Sequence, residues 1–339
     1  MILLLSSPSE PLVQHLVQKL QERRATYVQF DYAQFPTAAE LSLSYEPNGQ
    51  GRPTLRAGQD PVDLSHVDTV LLWRPNPPAP HEAITDEASR AFVKTESLGF
   101  LNDAWSSLDA RWLPARPSVV RDAAQKVSQL QIAASLGFEF PPTLVTNSPD
   151  DFLAFYRRYN GNVVGKLVGV AFLRHVGDAF GRYTEMVTKR DVGYAHAVRY
   201  APVIFQAYVP KRLELRITVV GQRVFAAAID SQATNHTRHD WRRYDYFGTS
   251  YLAHDLPDEV ARRCVRLLAR LGLSYGAIDM ILTPDGRYVF LEINPSGLFL
   301  WIEEATGLPI SEAICDWLMA TPPSSPTAEP LVAVGGAVI

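Results

Sequence analysis

Three oxygen-bearing side chains stand in a pair of strands that otherwise carry apolar residues. Residues 277–294 read AIDMILTPDGRYVFLEIN, and their DG dipeptide predicts the turn of a β-hairpin. Glu292 and Asn294 are two residues apart and share one strand face, and Asp279 can lie opposite them. A solvated polar face is the alternative, but both strands are too apolar for one. Two carboxylates and an amide oxygen suit Mg²⁺, so the pattern predicts a metal site.

A Mg²⁺ ion with few protein ligands usually accompanies a nucleotide triphosphate, and lone lysines are candidates for its phosphates. The sequence contains no GxxxxGK[ST] loop. Lys166 interrupts the apolar strand NVVGKLV, where a buried ammonium group needs an anion. Lys126 lies in the helical stretch AAQKVSQL, where a solvated lysine is common. The residues alone therefore favour Lys166 over Lys126 as the phosphate contact.

A second polar group, Gln206, Lys211, Glu214 and Arg216, interrupts the strands VIFQAYV and LELRITVV. Glu214 and Arg216 share a strand face, and as opposite charges they could simply form a structural ion pair. Arg216, fixed on a sheet near a metal, would equally suit a phosphate anion. Both interpretations stay open at this point.

The composition excludes several classes of protein. The chain has 339 residues, 47% of them hydrophobic, which predicts two domains or three small ones. A net charge of −4 argues against a general nucleic-acid binder. Cys264 and Cys315 lack zinc or disulfide spacing and are expected to be buried, reduced thiols. The start, MILLLSSPSEPL, lacks a basic segment and predicts a strand, and no stretch is long enough to span a membrane. We expect a cytoplasmic protein.

The elements that position these residues alternate between strands and helices, as in an α/β protein. In the first 115 residues we predict strands at ILLL, TYVQFD and DTVLLWR, a hairpin or loop at 45–61, a helix with buried leucines at 12, 16 and 20, and a helix capped by Thr85.

A second unit follows from about residue 116. We predict a helix from Asp122 to Leu136 that ends at Gly137, a helix after a Ser148 or Asn147 cap, an amphipathic helix at DEVARRCVRLLARLGL, strands at TLVT, NVVGKLV and VIFQAYVP, and a strand pair that turns at Gly221-Gln222. Residues 321–339 have the composition of a tail.

The order lysine, lysine, Q-x-Y-V, E-x-R and D…E-x-N resembles the ATP-grasp superfamily. The chain is most similar to the graspetide synthetases, the ribosomal-peptide maturases typified by the microviridin ligases. The stretches that carry the resemblance are QKVSQLQIAASLGFEFPPTLVTNSPDD, VIFQAYVPKRLELRITVVGQRVFAAAI, RHDWRRYD and VFLEINPSGLFLWIEEATGLPISEAI. It implies an ATP-grasp fold with an N-terminal Rossmann-like pre-ATP-grasp domain (1–115), a central and lid subdomain (116–205), a C-terminal catalytic subdomain (206–320) and a tail (321–339).

The resemblance also implies ATP and Mg²⁺ as cofactors and a role for each candidate residue. It assigns Mg²⁺ to Asp279, Glu292 and Asn294, and the ATP phosphates to Lys126 and Lys166. The adenine-facing linker would be Gln206, Tyr208 and Val209, and Glu214 would hold the ribose. Arg216, and Arg242 of the DWR motif, would face the γ-phosphate and the acyl phosphate that it becomes. Two features depart from the family: few small residues follow Lys166 in the lid, and Leu298 stands where members often carry a polar residue.

The remaining candidates have weaker patterns. His236, His239 and Asp240 fit no standard zinc spacing, and we expect their segment to close over substrate. Arg74 ends a buried strand at its carboxyl end, where α/β sheets bind ligands, and is a candidate for substrate contact. Trp301 is expected in the core between helix and sheet.

The implied reaction is ATP-dependent ring closure in a ribosomally made precursor peptide. An Asp or Glu side chain becomes an acyl phosphate, and a Ser, Thr or Lys side chain then attacks it to give a macrolactone or macrolactam. Mg²⁺, Lys166 and Arg216 would stabilise the charge, and no protein nucleophile is required. We expect a leader-bearing peptide as partner, no nucleic acid and no membrane, and leave a homodimer open. The alternatives are an ATP-grasp ligase for small molecules or a protein tail, as in glutathione synthesis, and a non-catalytic nucleotide or peptide carrier.

Overall fold

The computed structural model describes residues 1–48, 51–58, 60–169, 172–175, 178–181, 184–232 and 250–320. The candidates on the DWR segment, Arg242, His236, His239 and Asp240, and the predicted tail lie outside the described residues. The described chain is a mixed α/β structure, as predicted. Its helices include none with the length and apolarity needed to cross a bilayer.

The elements are labelled in chain order. The strands are β1 (Ile2–Ser6), β2 (Tyr27–Phe30), β3 (Glu40–Tyr45), β4 (Gly51–Arg56), β5 (Val62–Asp63), β6 (Thr69–Trp73), β7 (Arg111–Leu113), β8 (Thr143–Thr146), β9 (Val163–Lys166), β10 (Phe172–His175), β11 (Asp178–Gly181), β12 (Glu185–Met186), β13 (Val203–Ala207), β14 (Leu213–Val220), β15 (Arg223–Ile229), β16 (Tyr251–Ala253), β17 (Tyr275–Leu282) and β18 (Tyr288–Asn294). The helices are α1 (Pro11–Glu22), α2 (Glu87–Ser106), α3 (Pro117–Ala123), α4 (Lys126–Ser135), α5 (Pro149–Arg158), α6 (Lys189–Gly193), α7 (Asp258–Leu271), α8 (Leu300–Thr306) and α9 (Ile310–Met319).

The N-terminal part is built on a parallel sheet with strand order β2-β1-β6-β7. Helix α1 packs against it through Leu12, Leu16 and Leu20, all buried as the periodicity predicted. Strands β3, β4 and β5 form a separate antiparallel sheet, and β3 and β4 make the hairpin expected near 45–61. Counted along the chain within this sheet, the order is 2-1-3-4, a doubly wound α/β order, while the predicted Rossmann-like assignment and the domain limits stay predictions.

Two predicted helix boundaries were wrong. The cap of α2 is Asp86, whose side chain accepts a 2.7 Å hydrogen bond from the Ser89 N–H, so Thr85 is not the cap. The single helix expected from Asp122 to Leu136 is two helices, α3 and α4. The buried side chain of Gln129 donates to the Ala123 carbonyl at 2.7 Å, and this bond stabilises the break between them. The break leaves Lys126 as the first residue of α4.

The largest sheet is antiparallel, with strand order β16-β15-β14-β17-β18. Helices α4 and α7 cover one face, where Leu267 and Leu268 pack with Ile278. Helices α8 and α9 cover the other face, together with α1 of the N-terminal part. One hydrophobic core therefore joins the N-terminal unit to this sheet. Cys264 and Cys315 are free and buried in these cores, as predicted.

A smaller antiparallel sheet has the strand order β12-β9-β13-β8. Along the chain, its strands come after the N-terminal sheet and before the five-stranded sheet. Helix α5 packs on it through Phe152, whose ring stacks on Phe205 at a centroid distance of 4.3 Å. Ser148 caps α5, as predicted, and Pro149 is the first helical residue. Strands β10 and β11 pair as an antiparallel hairpin that follows β9 in the chain.

Candidate active site

Arg216, Asp279 and Glu292 form a row across three neighbouring strands. Arg216 on β14 is the register partner of Asp279 on β17, which in turn faces Glu292 on β18. The next pair along is Met280 with Phe290, so Leu291 is an extra residue in a β-bulge. Phe290 lies in the core, whereas the next two residues, Leu291 and Glu292, both line a cleft. The bulge thus presents two consecutive residues to that cleft.

The three predicted metal ligands converge, and cations neutralise both carboxylates. Arg216 Nη1 lies 3.0 Å from each oxygen of Asp279, and Asn294 Nδ2 donates to Asp279 Oδ2 at 3.1 Å. Lys126 Nζ lies 2.9 Å from Glu292 Oε2. A carboxylate this deep in a sheet requires an opposite charge or a metal, because burial removes its hydration. The predicted metal ligands and two of the predicted phosphate-binding cations therefore form one charge cluster.

The donor set fits a hard cation. Within the described part of the chain, three or more histidine, cysteine or acidic side chains nowhere cluster as a metal site. Asp279, Glu292 and Asn294 offer two carboxylates and one amide, which is the small oxygen set by which Mg²⁺ is held when phosphates and waters complete its shell. Their assignment to Mg²⁺ stays a prediction.

A cleft between the small sheet, α4 and β18 has the chemistry of a nucleotide site. Five of its ten lining residues are apolar, and the other five are polar or charged. The lining residues are Lys126, Val127, Leu130, Thr143, Val145, Lys166, Ile204, Gln206, Leu291 and Glu292. The structure thus brings both predicted phosphate lysines together with Gln206. The Gln206 side chain is oriented by a 3.0 Å hydrogen bond from its Nε2 to Thr143 Oγ1.

The segment predicted to face adenine connects β13 of the small sheet to β14 of the large one. Tyr208 and Val209 are half-buried there, and the Tyr208 N–H donates to the Asn162 carbonyl at 2.8 Å. Beyond it, Lys211 Nζ lies 3.0 Å from Glu214 Oε1, and both side chains are buried. Glu214 and Arg216 thus have opposite-charge partners of their own, Lys211 and Asp279.

The loop after β18 completes the surroundings of Arg216, a contact that was not predicted from the sequence. Arg216 Nη2 donates to the Leu298 carbonyl at 3.1 Å. A Cβ at Gly297 would lie 2.6 Å from that nitrogen and 2.5 Å from the Cβ of Ala277, so only glycine fits. Tyr275 Oη donates to the Gly297 carbonyl at 2.5 Å. The glycine of the SG dipeptide directly after β18 was the available signal for this close approach.

A second cleft opens on the other side of Asp279. It is lined by Arg74, Val120, Ala124, Arg216, Asp279, Asn294, Pro295, Ser296, Gly297, Leu298 and Trp301. Asp279 and Glu292 are register partners, yet Glu292 lines the nucleotide-type cleft and Asp279 the second one. The row of charges therefore lies at the boundary of two clefts, where two substrates could meet.

Comparison with known proteins places the chain in a family, although no model of a known protein family matches the sequence. A RiPP-associated ATP-grasp ligase from Chryseobacterium gregarium, solved with ADP and a leader and core peptide, superposes with a TM-score of 0.86 at 29% identity, over 94% of this chain and 96% of that one. The macrocyclase MdnC from Microcystis aeruginosa, bound to its precursor peptide MdnA, gives a TM-score of 0.82 at 30% identity, over 94% and 98%. A probable alpha-L-glutamate ligase from Klebsiella pneumoniae is 27% identical over 266 residues, 76% of this chain and 79% of that protein.

The fold is that of an ATP-grasp ligase. The chain belongs to the ATP-grasp ligases that modify ribosomally made peptides, the graspetide-synthetase family indicated by its motifs. It is an ADP-forming ATP-grasp ligase, and Mg²⁺ stays a prediction for this chain. The roles of the individual site residues stay predictions.

Proposed function

We propose that this protein closes rings in a ribosomally made precursor peptide by activating Asp or Glu side chains with ATP. The observation that carries the proposal is the row Arg216–Asp279–Glu292 between two clefts. One cleft combines apolar walls with Lys126 and Lys166, which suits a base and its phosphates. The other contains Arg74 and Arg216, which suit an anionic peptide side chain. A carboxylate and a triphosphate can thus approach each other across fixed charges.

The protein's own groups position the reactants and offset their repulsion. Lys126 and Lys166 would hold the phosphates, and Arg216 would face the transferred phosphoryl group. Asp279, Glu292 and Asn294 would hold Mg²⁺, which would supply further charge neutralisation. The peptide carboxylate oxygen bonds to the terminal phosphorus and ADP leaves. A Ser or Thr hydroxyl or a Lys amine then bonds to the acyl carbon and loses its proton, and phosphate leaves. No side chain of the enzyme forms a covalent bond.

The substrate we propose has two parts. A leader segment would bind the enzyme, and a core segment would carry the acidic side chains together with Ser, Thr or Lys. Neighbouring charged and hydroxyl groups of one peptide are held at high effective concentration, which favours intramolecular attack over attack by free amino acids.

The experiment is to supply Mg·ATP and a synthetic peptide from a short acidic, Ser/Thr-rich reading frame beside the gene. ADP release should match the number of rings, and the peptide should lose the mass of one water for each ring. The identity to a glutamate ligase supports a second candidate, addition of glutamate to a protein tail. That reaction would require free glutamate and would increase the mass of the acceptor, and this result would replace the proposal.

A further inference from the structure

Arg74 occupies a strained position at the mouth of the second cleft. It follows the last residue of β6 and has φ of 45°, in the left-handed region that non-glycine residues rarely adopt. Its side chain is exposed and lines the cleft together with Arg216 and Asp279. Such a conformation has a cost in free energy and persists where the surrounding structure imposes it.

Two independent contacts fix the backbone around Arg74. After it, buried Asp31 accepts hydrogen bonds from the N–H and the side-chain amide of Asn76, at 3.1 and 2.8 Å. Before it, Trp73 is fully buried and packs on Tyr275 at a ring-centroid distance of 5.2 Å. Tyr275 also holds the Gly297 carbonyl, so the same aromatic contact aligns Arg74 with the loop that follows β18.

Of the two arginines that line the second cleft, Arg74 is the one whose described contact is not with a carboxylate. Arg216 faces the carboxylate of Asp279, and Lys126 faces that of Glu292. Among the described residues, Arg74 makes its hydrogen bond to a neutral group, from Nη2 to the Ser296 carbonyl at 3.2 Å. An exposed guanidinium held at one end by a carbonyl presents its remaining N–H groups as a fork for a carboxylate.

We infer that Arg74 binds the reacting carboxylate of the peptide, an Asp or Glu side chain, and orients it toward the row Arg216–Asp279–Glu292. This inference rests on the proposed function and specifies the residue that selects an acidic side chain. The N-terminal unit would then contribute directly to substrate choice, because Arg74 comes from its parallel sheet.

The test compares Arg74→Gln and Arg74→Lys with a matched control, Arg24→Gln. Arg24 is also an exposed arginine with positive φ, 55°, but it lies before the start of β2, at the opposite end of the parallel strands of the same sheet. We expect Arg74→Gln to lower kcat/KM for the precursor peptide by about tenfold to a hundredfold, the range for a lost hydrogen bond to a charged group. The KM for ATP and the thermal midpoint should match those of Arg24→Gln, and Arg74→Lys should recover part of the loss.

A binding measurement separates the peptide carboxylate from the ATP phosphates. The affinity of wild type and of Arg74→Gln is measured, with Mg·ADP present, for the peptide and for a version with the reacting acid changed to its amide. The amide should weaken binding to wild type but leave binding to Arg74→Gln nearly unchanged. Equal weakening in both enzymes, or an increase confined to the KM for ATP, would overturn the inference.

The two proposals fail in different ways. If wild type closes rings and Arg74→Gln keeps wild-type peptide kinetics, the role of Arg74 is wrong and the proposed function stands. If wild type binds the peptide through its carboxylate and Arg74 but closes no ring with Mg·ATP, the proposed function is wrong and the Arg74 contact stands.

Discussion

Arg216 and Asp279 are register partners on β14 and β17, and one guanidinium nitrogen lies 3.0 Å from both carboxylate oxygens. Both residues are buried. Removing one partner of a buried ion pair leaves an uncompensated charge and typically costs about 3–5 kcal/mol. Any substitution that removes one of these charges therefore combines loss of function with loss of stability, so the thermal midpoint of each variant is measured beside its activity, and isosteric variants avoid the additional cost of a cavity.

Asp279→Asn and Glu292→Gln test the metal assignment. Each keeps the volume and part of the hydrogen bonding but removes the negative charge that a divalent cation needs. We expect ADP release to fall by about a hundredfold or more, in the range seen when a key electrostatic contact is lost. Glu304→Gln, an exposed acid on α8, is the matched control and should retain full activity. Wild-type turnover in either site variant would exclude that residue as an essential metal ligand.

Gly297→Ala tests the close approach of the loop to Arg216. The new Cβ would meet Arg216 Nη2 at 2.6 Å and the Cβ of Ala277 at 2.5 Å, so the loop must shift. We expect a loss of about 1–3 kcal/mol in the free energy of unfolding, the usual cost of overpacking, together with reduced turnover. Gly99→Ala is the contrast, because Gly99 is helical and its Cβ would meet nothing within 4 Å. It should stabilise the protein by about 0.5–1 kcal/mol. A fully active, equally stable Gly297→Ala enzyme would contradict the account of this loop.

Helices α1 and α9 are joined by ion pairs that should weaken in acid. Lys19 Nζ lies 2.5 Å from Glu312, and Arg23 lies 2.8 Å from Asp316. The hydrogen bond from Lys19 lowers the pKa of Glu312, and the hydrogen bond from Arg23 lowers the pKa of Asp316. A lowered folded-state pKa contributes stability that is complete above the ordinary values of 4.5 and 3.8 and is lost as the pH falls through the folded-state values.

Glu312→Gln should therefore lower the thermal midpoint at pH 7 and flatten its decrease toward acid. The effect should be below about 1 kcal/mol, because both carboxylates are partly exposed and screened by solvent. Glu304→Gln again serves as the control. An unchanged acid limb in Glu312→Gln would show that this cluster does not contribute to the pH dependence of stability.

The two thiols should be unreactive in the folded protein. Burial raises the pKa of Cys264 to about 12 and that of Cys315 to about 11. Since the thiolate is the nucleophile, alkylation by iodoacetamide at pH 8 should be slow until a denaturant is added. The number of alkyl groups, counted by mass before and after unfolding, checks this. Rapid labelling of the native chain would show that the two helices open more readily than their packing indicates.

Local signals in the sequence predicted the parts of the site that are close along the chain. Asp279 and Glu292 could be placed near each other because one tight turn joins their strands, although the β-bulge at Leu291 shifts their pairing by one residue from the register that the turn sets. The contact between Lys126 and Glu292 could not be predicted from the sequence, because it depends on how α4 packs on β18. The break before α4 was missed for the same reason. The buried side-chain amide of Gln129 donates hydrogen bonds to the carbonyls of Ala123 and Ile293, and the second of these lies far along the chain.

The choice of a helix cap and the contacts between distant loops are further features that the sequence alone does not predict. Thr85 and Asp86 are adjacent and both are good capping residues, and the choice depends on which side chain meets a backbone N–H three residues on. The contact between Arg74 and Ser296 joins the N-terminal sheet to a loop far along the chain, so no local pattern marks it. The family resemblance assigned roles to single residues, whereas the structure shows which of them share a charge cluster.

The most direct test of the central claim follows oxygen atoms through the reaction. The precursor peptide is synthesised with heavy oxygen in both carboxylate positions of its acidic core side chains and is incubated with the enzyme and Mg·ATP. If the carboxylate attacks the terminal phosphorus, one labelled oxygen should appear in the released phosphate for every ring closed, while the other stays in the ester or amide carbonyl. Unlabelled phosphate together with a ring-closed peptide would mean that the carboxylate is not the phosphorylated group, and would contradict the mechanism proposed for this site.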